Sequence, residues 1–362
     1  MKINELSIQE KIGQMIIIGM DTNYITDRIK TMITQYKIGG IILYRKNFNS
    51  YEKMLELIKQ LKDLNKDNKL PLFIAIDQEG GRVNRMPKEI SNLPPANKIA
   101  TDGGEELIKT SAQLTGELLH KSGFNLNFAP VLDIKRFSNQ HAIGDRCFGS
   151  DKKTVAEYGI LTMQELQKQG IISVIKHFPG HGATTQDSHY FLPIIKKKIK
   201  DIENEDMFPF EQAIKNGADS LLVGHLLIKN ITGFYPASLS RKFISRYIRK
   251  KYKYNGLIFT DDLKMRAIKL LYGPSSALVK AFKAGNDIMI FRFNKDEEKN
   301  AINKVLKLAK SGKIKESRIN RSVNRIIKIK EKYNLSDNMP NENINIENFN
   351  NEISKIREKC GL

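Results

Sequence analysis

The feature that most constrains the fold of this 362-residue chain is a regular alternation of short apolar runs with segments of helical period. The apolar runs are rich in β-branched residues and are continuously apolar, as expected for strands that are covered on both faces. Eight runs are predicted to be strands: 15–18, 38–43, 72–76, 126–132, 171–175, 221–223, 257–259 and 288–291.

Between these runs, apolar residues recur at helical spacing. Met54, Ile58 and Leu61 fall on one helix face, and Val155 and Leu166 belong to a second such segment. Eight alternations in about 290 residues predict an α/β fold of the (β/α)8 TIM-barrel type. An open doubly wound sheet is the alternative, but it calls for a glycine-rich phosphate turn after the first strand, and the sequence has none there.

The two ends of the chain carry local signals. Ser7 and Glu10 have the spacing of a capping box, which predicts a helix before the first strand. A last helix is predicted around Ile319 and Val323. Seven of the fifteen residues from 337 to 351 are asparagine, which favours a solvated or loosely docked tail. We therefore predict a catalytic barrel over 1–335 and an asparagine-rich C-terminal tail over 336–362.

The net charge of +20 is unusually high, with lysine-rich runs at 196–198 and 249–251. Such a charge suits attraction to a polyanion, or simply a lysine-rich solvated surface. No basic stretch is interleaved with aromatic residues in the manner of a single-strand binder. We therefore favour the solvated surface and expect no nucleic-acid partner.

Cysteine usage and hydropathy indicate a soluble cytoplasmic protein. Cys147 and Cys360 lie far apart and offer neither a disulfide framework nor a zinc-site spacing. The first apolar run is short and follows Glu5 and Glu10, unlike a signal peptide. No run approaches the ~20 apolar residues of a membrane span, so no membrane partner is expected.

Most of the chemically reactive residues follow predicted strands. Each has an ordinary structural explanation taken alone, since an aspartate after a strand often caps a helix and a histidine there often belongs to the core. The carboxyl ends of all the strands open on the same face of a barrel, so the reactive residues that follow them together predict one active site. These residues are Asp77, Arg146, Lys176, His177, Asp187, His189, His225, Asp261 and Asp262.

The segment from Lys176 to His189 is the most unusual in the chain. It holds three of the six histidines, a Pro-Gly turn and Gly182. A loop of this composition can move over a pocket and deliver an acid or base. Asp187 lies two residues before His189, close enough for its carboxylate to orient the imidazole and raise its basicity.

With these motifs the chain resembles the single-domain β-N-acetylglucosaminidases of glycoside hydrolase family 3. The resemblance covers about residues 5 to 335, and the stretches IDQEGGR and KHFPGHG with the trailing DSH are highly specific. The matching stretches are EKIGQM (10–15), IDQEGGRVNR (76–85), NFAPVLD (127–133), DRCFGSD (145–151), KHFPGHG…DSH (176–189), FTDDLKM (259–265) and KAGNDIMIF (283–291).

The resemblance implies a retaining exo-β-N-acetylglucosaminidase on a TIM barrel. Asp261 matches the nucleophile that forms a covalent glycosyl-enzyme. His189, paired with Asp187, matches the acid/base that protonates the leaving oxygen and then activates water, in place of the usual second carboxylate. The positions implied to hold the sugar are Asp77, Arg85, Arg146, Lys176 and His177. Because neighbours on a strand point oppositely, only one acid of the Asp261-Asp262 pair is expected to face the barrel mouth, and the resemblance implies that it is Asp261.

The chain departs from the family pattern at three points. Cys147 stands where relatives usually have serine, and the asparagine-rich tail after about Ser336 lies outside the matched domain. The chain also has no tryptophan on which a sugar ring could stack. A short pocket for one terminal sugar needs less stacking than a long groove. Muropeptide fragments are the expected substrate, with chitin oligosaccharides as the alternative, and we expect a monomer without cofactor or metal.

Three other functions are alternatives to this one. A metal-dependent barrel hydrolase would use His177, His181, His225 and Asp261 as ligands, but this chain lacks the His-x-His that usually follows the first strand of such enzymes. A phosphorylase would discharge the same glycosyl-enzyme with phosphate. A non-catalytic binder of anionic polymers would have no need of a nucleophile and an acid/base.

Overall fold

The computed structural model describes residues 3–137, 142–184 and 192–362 of the chain. Within these ranges the backbone forms eight strands, and each overlaps one of the eight predicted apolar runs. The strands are β1 (Ile16–Gly19), β2 (Gly40–Leu43), β3 (Phe73–Ile76), β4 (Leu126–Asn127), β5 (Ile172–Phe178), β6 (Ser220–Val223), β7 (Leu257–Thr260) and β8 (Met289–Ile290).

The strands form a single parallel sheet in the order β7-β6-β5-β4-β3-β2-β1-β8. A parallel bridge between Phe259 of β7 and Ile288, next to β8, joins the two ends of this order. The sheet therefore closes on itself, and the predicted (β/α)8 barrel is confirmed in place of an open sheet.

Helices cover the outside of the barrel. Two further segments, Ile202–Asp206 and Lys242–Lys251, have wider π-helical turns. The α-helices of the described ranges are α1 (Ile8–Gln14), α2 (Asp27–Thr34), α3 (Tyr51–Asn65), α4 (Ala96–Lys121), α5 (Lys152–Lys168), α6 (Ile199–Asp201), α7 (Phe208–Lys215), α8 (Lys229–Thr232), α9 (Arg266–Tyr272), α10 (Pro274–Ala284), α11 (Lys295–Lys310), α12 (Glu316–Lys332) and α13 (Ile346–Lys359).

Local sequence signals explain where several of these elements begin and pack. The Ser7 hydroxyl accepts a hydrogen bond from the Glu10 amide at 3.2 Å, and the Glu10 carboxylate accepts one from the Ser7 amide at 2.7 Å, so the predicted capping box is confirmed. Ile16, Ile17 and Ile18 of β1 are all fully buried. Such uninterrupted burial is what a strand between the barrel interior and the outer helices requires.

The turn after β3 needs glycine. Gly80 and Gly81 have φ angles of +88° and +53°, in the left-handed region that side chains disfavour. A Cβ atom on Gly81 would also lie 2.9 Å from the Cα atom of Pro95. This turn lets the Glu79 amide donate to the Val83 carbonyl at 3.0 Å, and it fixes the backbone that leads from β3 to the barrel mouth.

Strand β5 is longer than predicted. It continues to Phe178, so Lys176 and His177 lie on the strand and not in the loop after it. The peptide bonds before His177 and Pro179 are cis. Pairing with β6 shifts register between Ile175 and Phe178, which marks the place where the strand carries these polar residues to the mouth.

The C-terminal residues pack more closely than expected. Helix α13 buries Phe349, Ile353 and Ile356 and contacts α4. The Asn350 side chain accepts from the Ser91 amide and donates to the Glu89 carbonyl, both at 2.8 Å. The sequence predicts a solvated or loosely docked tail; the structure shows a helix docked on the barrel, because three apolar residues at helical spacing are buried and the Asn350 amide bonds the segment before α4. The division of the chain at residue 335 remains a prediction.

At the base of the barrel a buried carboxylate joins three elements. Asp287 is fully buried just before β8 and accepts from the Ile258 amide of β7 at 2.9 Å. It also accepts from Arg325 of α12 at 3.1 Å, and it bonds Arg249 and Ser322. The charges of two guanidinium groups therefore compensate one carboxylate that has no access to water.

Across the described residues, no helix is long and apolar enough to cross a membrane.

We predict that Asp287→Asn lowers the free energy of unfolding by about 3–5 kcal/mol, because it leaves buried guanidinium groups without their counter-charge. Urea unfolding followed by circular dichroism measures the change. The matched control is Asp21→Asn, which removes one partner of an ion pair whose side chains are about half exposed, and it should leave the midpoint unchanged. Equal stability of Asp287→Asn and wild type would contradict this account.

Candidate active site

An open cavity of about 1950 Å³, including the solvent at its mouth, lies at the carboxyl ends of the strands. Most of the site residues predicted from the sequence line it together, so their predicted convergence on one face is observed. These residues are Asp77, Arg85, Arg146, Lys176, His177 and Asp261. Asp187 and His189 lie outside the described residues, and their placement stays a prediction.

A buried carboxylate, Glu79, organises one wall of the cavity. It accepts two hydrogen bonds from Arg146, each 2.7 Å long, and it contacts the Lys176 ammonium at 2.5 Å. Lys176 also donates to Asp77 at 2.8 Å. The Glu79 and Lys176 side chains are only 4% and 3% exposed, so these charges compensate each other with little help from water.

The charges of this wall determine its protonation. Burial alone would raise the pKa of Glu79, but Arg146 and Lys176 hold that pKa far below its usual range. Burial would likewise lower the pKa of Arg146, and Glu79 raises it above its usual value. Glu79 and Arg146 are therefore both charged at neutral pH, and the wall presents the side chains of Arg146, Lys176 and Asp77 to the cavity.

A second buried carboxylate, Asp133, fixes the histidines of β5 and the following turn. It contacts His177 Nδ1 at 2.7 Å and accepts from the His181 amide at 2.6 Å. Burial would raise the pKa of Asp133, but the two histidines lower it overall. Because Nδ1 of His177 faces the carboxylate, its Nε2 edge is the part of the ring left to meet a ligand in the cavity.

Gly182 permits the tight packing of this turn. A Cβ atom there would lie 2.0 Å from the Ile134 carbonyl oxygen, so the chain passes against the backbone that follows Asp133. The second glycine of KHFPGHG is therefore explained by close backbone approach.

Both acids of the Asp261-Asp262 pair line the cavity, so the expectation that only one faces the mouth is wrong. Strand β7 ends at Thr260, and side-chain alternation does not extend to the residues beyond it. The Asp261 amide donates to the Val223 carbonyl at 3.0 Å, which continues the pairing with β6. The Asp261 carboxylate accepts from the Asp262 amide at 2.8 Å.

The two acids differ in environment. Asp262 is paired with Arg292 at 3.2 Å and accepts from the Lys264 amide at 2.9 Å. Burial raises the pKa of Asp262 to about 6, with Arg292 opposing the rise and Asp261 adding to it. Held in this way, the Asp262 carboxyl group is suited to orient neighbouring side chains. Asp261, in contrast, directly follows the last residue of β7.

Of two other predicted site residues, Arg85 reaches the cavity and His225 does not. Arg85 lines the cavity, and its Nε is buried without a hydrogen-bond partner among the described residues, so it is suited to an oxygen atom of a bound ligand. His225 is fully buried, with Nδ1 2.7 Å from the Ser238 hydroxyl and Nε2 3.0 Å from the Asp262 carbonyl oxygen. It supports the loop after β7 from below the cavity.

The match to known proteins covers nearly the whole barrel. The model of the glycosyl hydrolase family 3 N-terminal domain matches residues 7–329. The chain belongs to glycosyl hydrolase family 3. It is therefore a glycoside hydrolase, and the family resemblance read from the motifs is confirmed.

Two relatives of this family 3 hydrolase are similar along most of their length. A beta-hexosaminidase of Xylella fastidiosa (strain M23) is 31% identical over 282 residues, covering 76% of this chain and 82% of the relative. Beta-hexosaminidase LpqI of Mycobacterium tuberculosis is 30% identical over 333 residues, covering 90% of this chain and 83% of the relative.

Solved structures agree with this assignment. A family 3 beta-N-acetylglucosaminidase from Paenibacillus sp. str. FPU-7 superposes with a TM-score of 0.92 at 31% identity, covering 98% of this chain and 69% of that one. A beta-glucoside phosphorylase superposes with a TM-score of 0.85 at 21% identity, which shows the fold alone.

Of the ligand set considered for a metal-dependent hydrolase, His177, His181 and Asp261 line the cavity and His225 does not. Both ring nitrogens of His225 contact protein groups, and Nδ1 of His177 contacts Asp133. No group of three or more His, Cys, Asp and Glu side chains in the described ranges is arranged to hold a metal ion.

Four residues of this family 3 site were missed in the sequence. Glu79 and Asp133 lie inside the motifs IDQEGGR and NFAPVLD, but nothing in the sequence distinguishes a buried organising carboxylate from one that contacts a ligand. Tyr44 and Arg292 also line the cavity, and Arg292 lies 4.9 Å above the Tyr44 ring. Tyr44 and Arg292 each directly follow a predicted strand, so the search for polar residues at strand ends would have found these two.

We predict that Glu79→Gln lowers kcat/KM on the order of 100-fold, mainly through KM, because Arg146 and Lys176 lose the charge that positions them. Steady-state kinetics with an aryl glycoside measure both parameters. Glu56→Gln removes the carboxylate of an exposed ion pair with Lys53 on α3, which does not line the cavity, and serves as the control, with unchanged kinetics. A Glu79→Gln enzyme with wild-type KM and kcat would show that the buried carboxylate does not position the site.

Proposed function

We propose that this family 3 hydrolase is a retaining exo-β-N-acetylglucosaminidase, which removes a terminal non-reducing N-acetylglucosamine through a covalent glycosyl-enzyme on Asp261. His189, oriented by Asp187, acts as the acid/base. One observation carries the proposal: Asp261 shares one cavity with the wall formed by Asp77, Arg146 and Lys176. The names of the relatives, beta-hexosaminidase and beta-N-acetylglucosaminidase, favour the N-acetylated sugar as substrate.

The wall is chemically suited to a terminal sugar. A sugar in water is hydrogen-bonded on every hydroxyl, so a site must replace those bonds with directional partners. Asp77 supplies acceptors, while Lys176, Arg146 and Arg85 supply donors. Because Glu79 fixes Arg146 and Lys176 and Asp133 fixes His177, the sugar meets several partners that need little reordering on binding.

The proposed reaction has two steps. Asp261 attacks the anomeric carbon while His189 gives a proton to the departing glycosidic oxygen, so one C–O bond forms as another breaks. His189 then takes a proton from water, the water oxygen attacks the anomeric carbon, and the carboxylate of Asp261 leaves. Two displacements on opposite faces give net retention of the β configuration.

We further propose cytoplasmic muropeptide fragments as the substrate. Four further cations also line the cavity, Arg45, Lys46, Arg82 and Lys264, and the Lys46 and Arg82 side chains among them are about half exposed. Cations at this position suit an aglycone that carries a carboxylate, and muramic acid carries one whereas a chitin oligosaccharide does not.

We predict that purified enzyme releases chromophore from an aryl β-N-acetylglucosaminide and not from the matching β-glucoside. Asp261→Ala abolishes this release because no glycosyl-enzyme can form. His189→Ala lowers kcat about 10²–10⁴-fold, because the leaving oxygen loses its proton donor. Rates are measured with and without added phosphate, since a phosphorylase would need phosphate for turnover.

Two variants serve as controls, Asp21→Asn at an exposed acid and His120→Ala on α4, and both should keep wild-type rates. No release by folded wild type, with or without phosphate, would overturn the proposed activity. Turnover that depends on phosphate would replace hydrolysis by phosphorolysis on the same residues.

A further inference from the structure

The positive charge of the chain is concentrated in one stretch. Residues 225–284 contain thirteen lysine and arginine residues and two acidic residues, against a net charge of +20 for the whole chain. The two acids are Asp261 and Asp262 of the candidate active site. A uniform lysine-rich surface would spread the excess over the chain, so this stretch calls for a separate explanation.

A second cavity is lined largely by residues of this basic stretch. It runs between the segment 241–245, the end of α10 and the residues from Lys313 to Arg321. Eight of its lining residues are lysine or arginine, and none of those described is aspartate or glutamate. It shares no lining residue with the candidate active site. We call it the basic groove.

An exposed apolar patch borders the basic groove. Phe234 is 84% exposed and Leu270 is 70% exposed. The neighbouring residues Tyr235 and Leu271 are also exposed, and these four are half of the large hydrophobic residues that the described ranges leave exposed. We call them, with Tyr272, the aromatic patch.

The two parts of the patch, the segment after β6 and helix α9, meet at their tyrosines. The Tyr235 and Tyr272 rings lie 6.2 Å apart and bring the segment after β6 against α9. The Lys280 ammonium lies 4.4 Å from the Tyr235 ring centre, so the basic groove continues directly into the aromatic patch. Exposed apolar groups next to cations without acids are the pattern of a surface that inserts at a negatively charged interface.

The patch also has a definite position relative to the active site. Met265 lines the active-site cavity, and α9 begins at the next residue. The segment after β6 and the segment after β7 both leave the carboxyl ends of their strands. The aromatic patch therefore borders the face on which the active site opens.

We propose that the aromatic patch and the basic groove dock this enzyme peripherally on a bilayer that contains anionic lipids. The apolar side chains enter the headgroup region, and the lysines and arginines meet the lipid phosphates. The expectation that the chain has no membrane partner is revised, since it rested on the lack of a spanning segment. A nucleic acid would also meet the charges, but it would make no use of exposed leucines.

The test is cosedimentation of the full chain with vesicles of phosphatidylcholine alone or mixed with phosphatidylglycerol, at low and high salt. We expect at least ten-fold tighter binding to the anionic vesicles, reversed by salt. Phe234→Ser with Leu270→Ser should weaken that binding about ten-fold. Lys242→Glu with Lys283→Glu should weaken it more than ten-fold, because each basic residue near the surface contributes roughly five-fold.

The matched control is Leu362→Ser with Lys328→Glu, an exposed apolar and basic pair elsewhere on the chain, which should bind like wild type. All variants should keep wild-type thermal unfolding and wild-type rates on a soluble aryl glycoside, which separates this proposal from the proposed activity. No preference for anionic vesicles would overturn it. So would binding that survives both patch variants, or that is lost equally in the control. Binding to single-stranded nucleic acid but not to vesicles would make the groove a polyanion site.

Discussion

The active site depends on one buried ion pair arrangement, the contact of Glu79 with Arg146 and Lys176. A carboxylate removed from water is stable only where its charge and its lone pairs are satisfied, and here two cations do both. The same contacts hold these cations at the cavity wall. The cost of burying the Glu79 carboxylate is thus offset by groups that line the cavity, and Asp133 holds His177 and His181 in a similar way.

The barrel supplies the rigidity that these carboxylates need. The residues of the wall come from the ends of β3 and β5 and from the segment after β4, and these strands are neighbours in one closed sheet. Asp261 arrives from β7 on the far side of β6. In the proposed reaction, fixed groups grip the sugar while the acid/base comes from the loop after β5. This division matches a stable scaffold that carries chemistry on its connecting segments.

Much of the fold was predictable because strand and helix signals repeat eight times, and each element agrees with its neighbours. Site residues were predictable for a related reason, since polar residues such as Asp77 and Asp261 stand directly after apolar strands. The extent of β5, the packing of α13 and the placement of both Asp261 and Asp262 at the cavity were not predictable. Each of these depends on contacts between distant segments, which local periodicity does not encode.

The central claim is that Asp261 carries the sugar during turnover. The direct test uses His189→Ala with an activated aryl β-N-acetylglucosaminide, because loss of the base slows discharge of the glycosyl-enzyme and lets it accumulate. After a denaturing quench, digestion and mass spectrometry locate the adduct. The account predicts one N-acetylhexosamine on the peptide that contains Asp261, at Asp261 itself. An adduct on Asp262 or another residue, or a first product of inverted configuration, would contradict it.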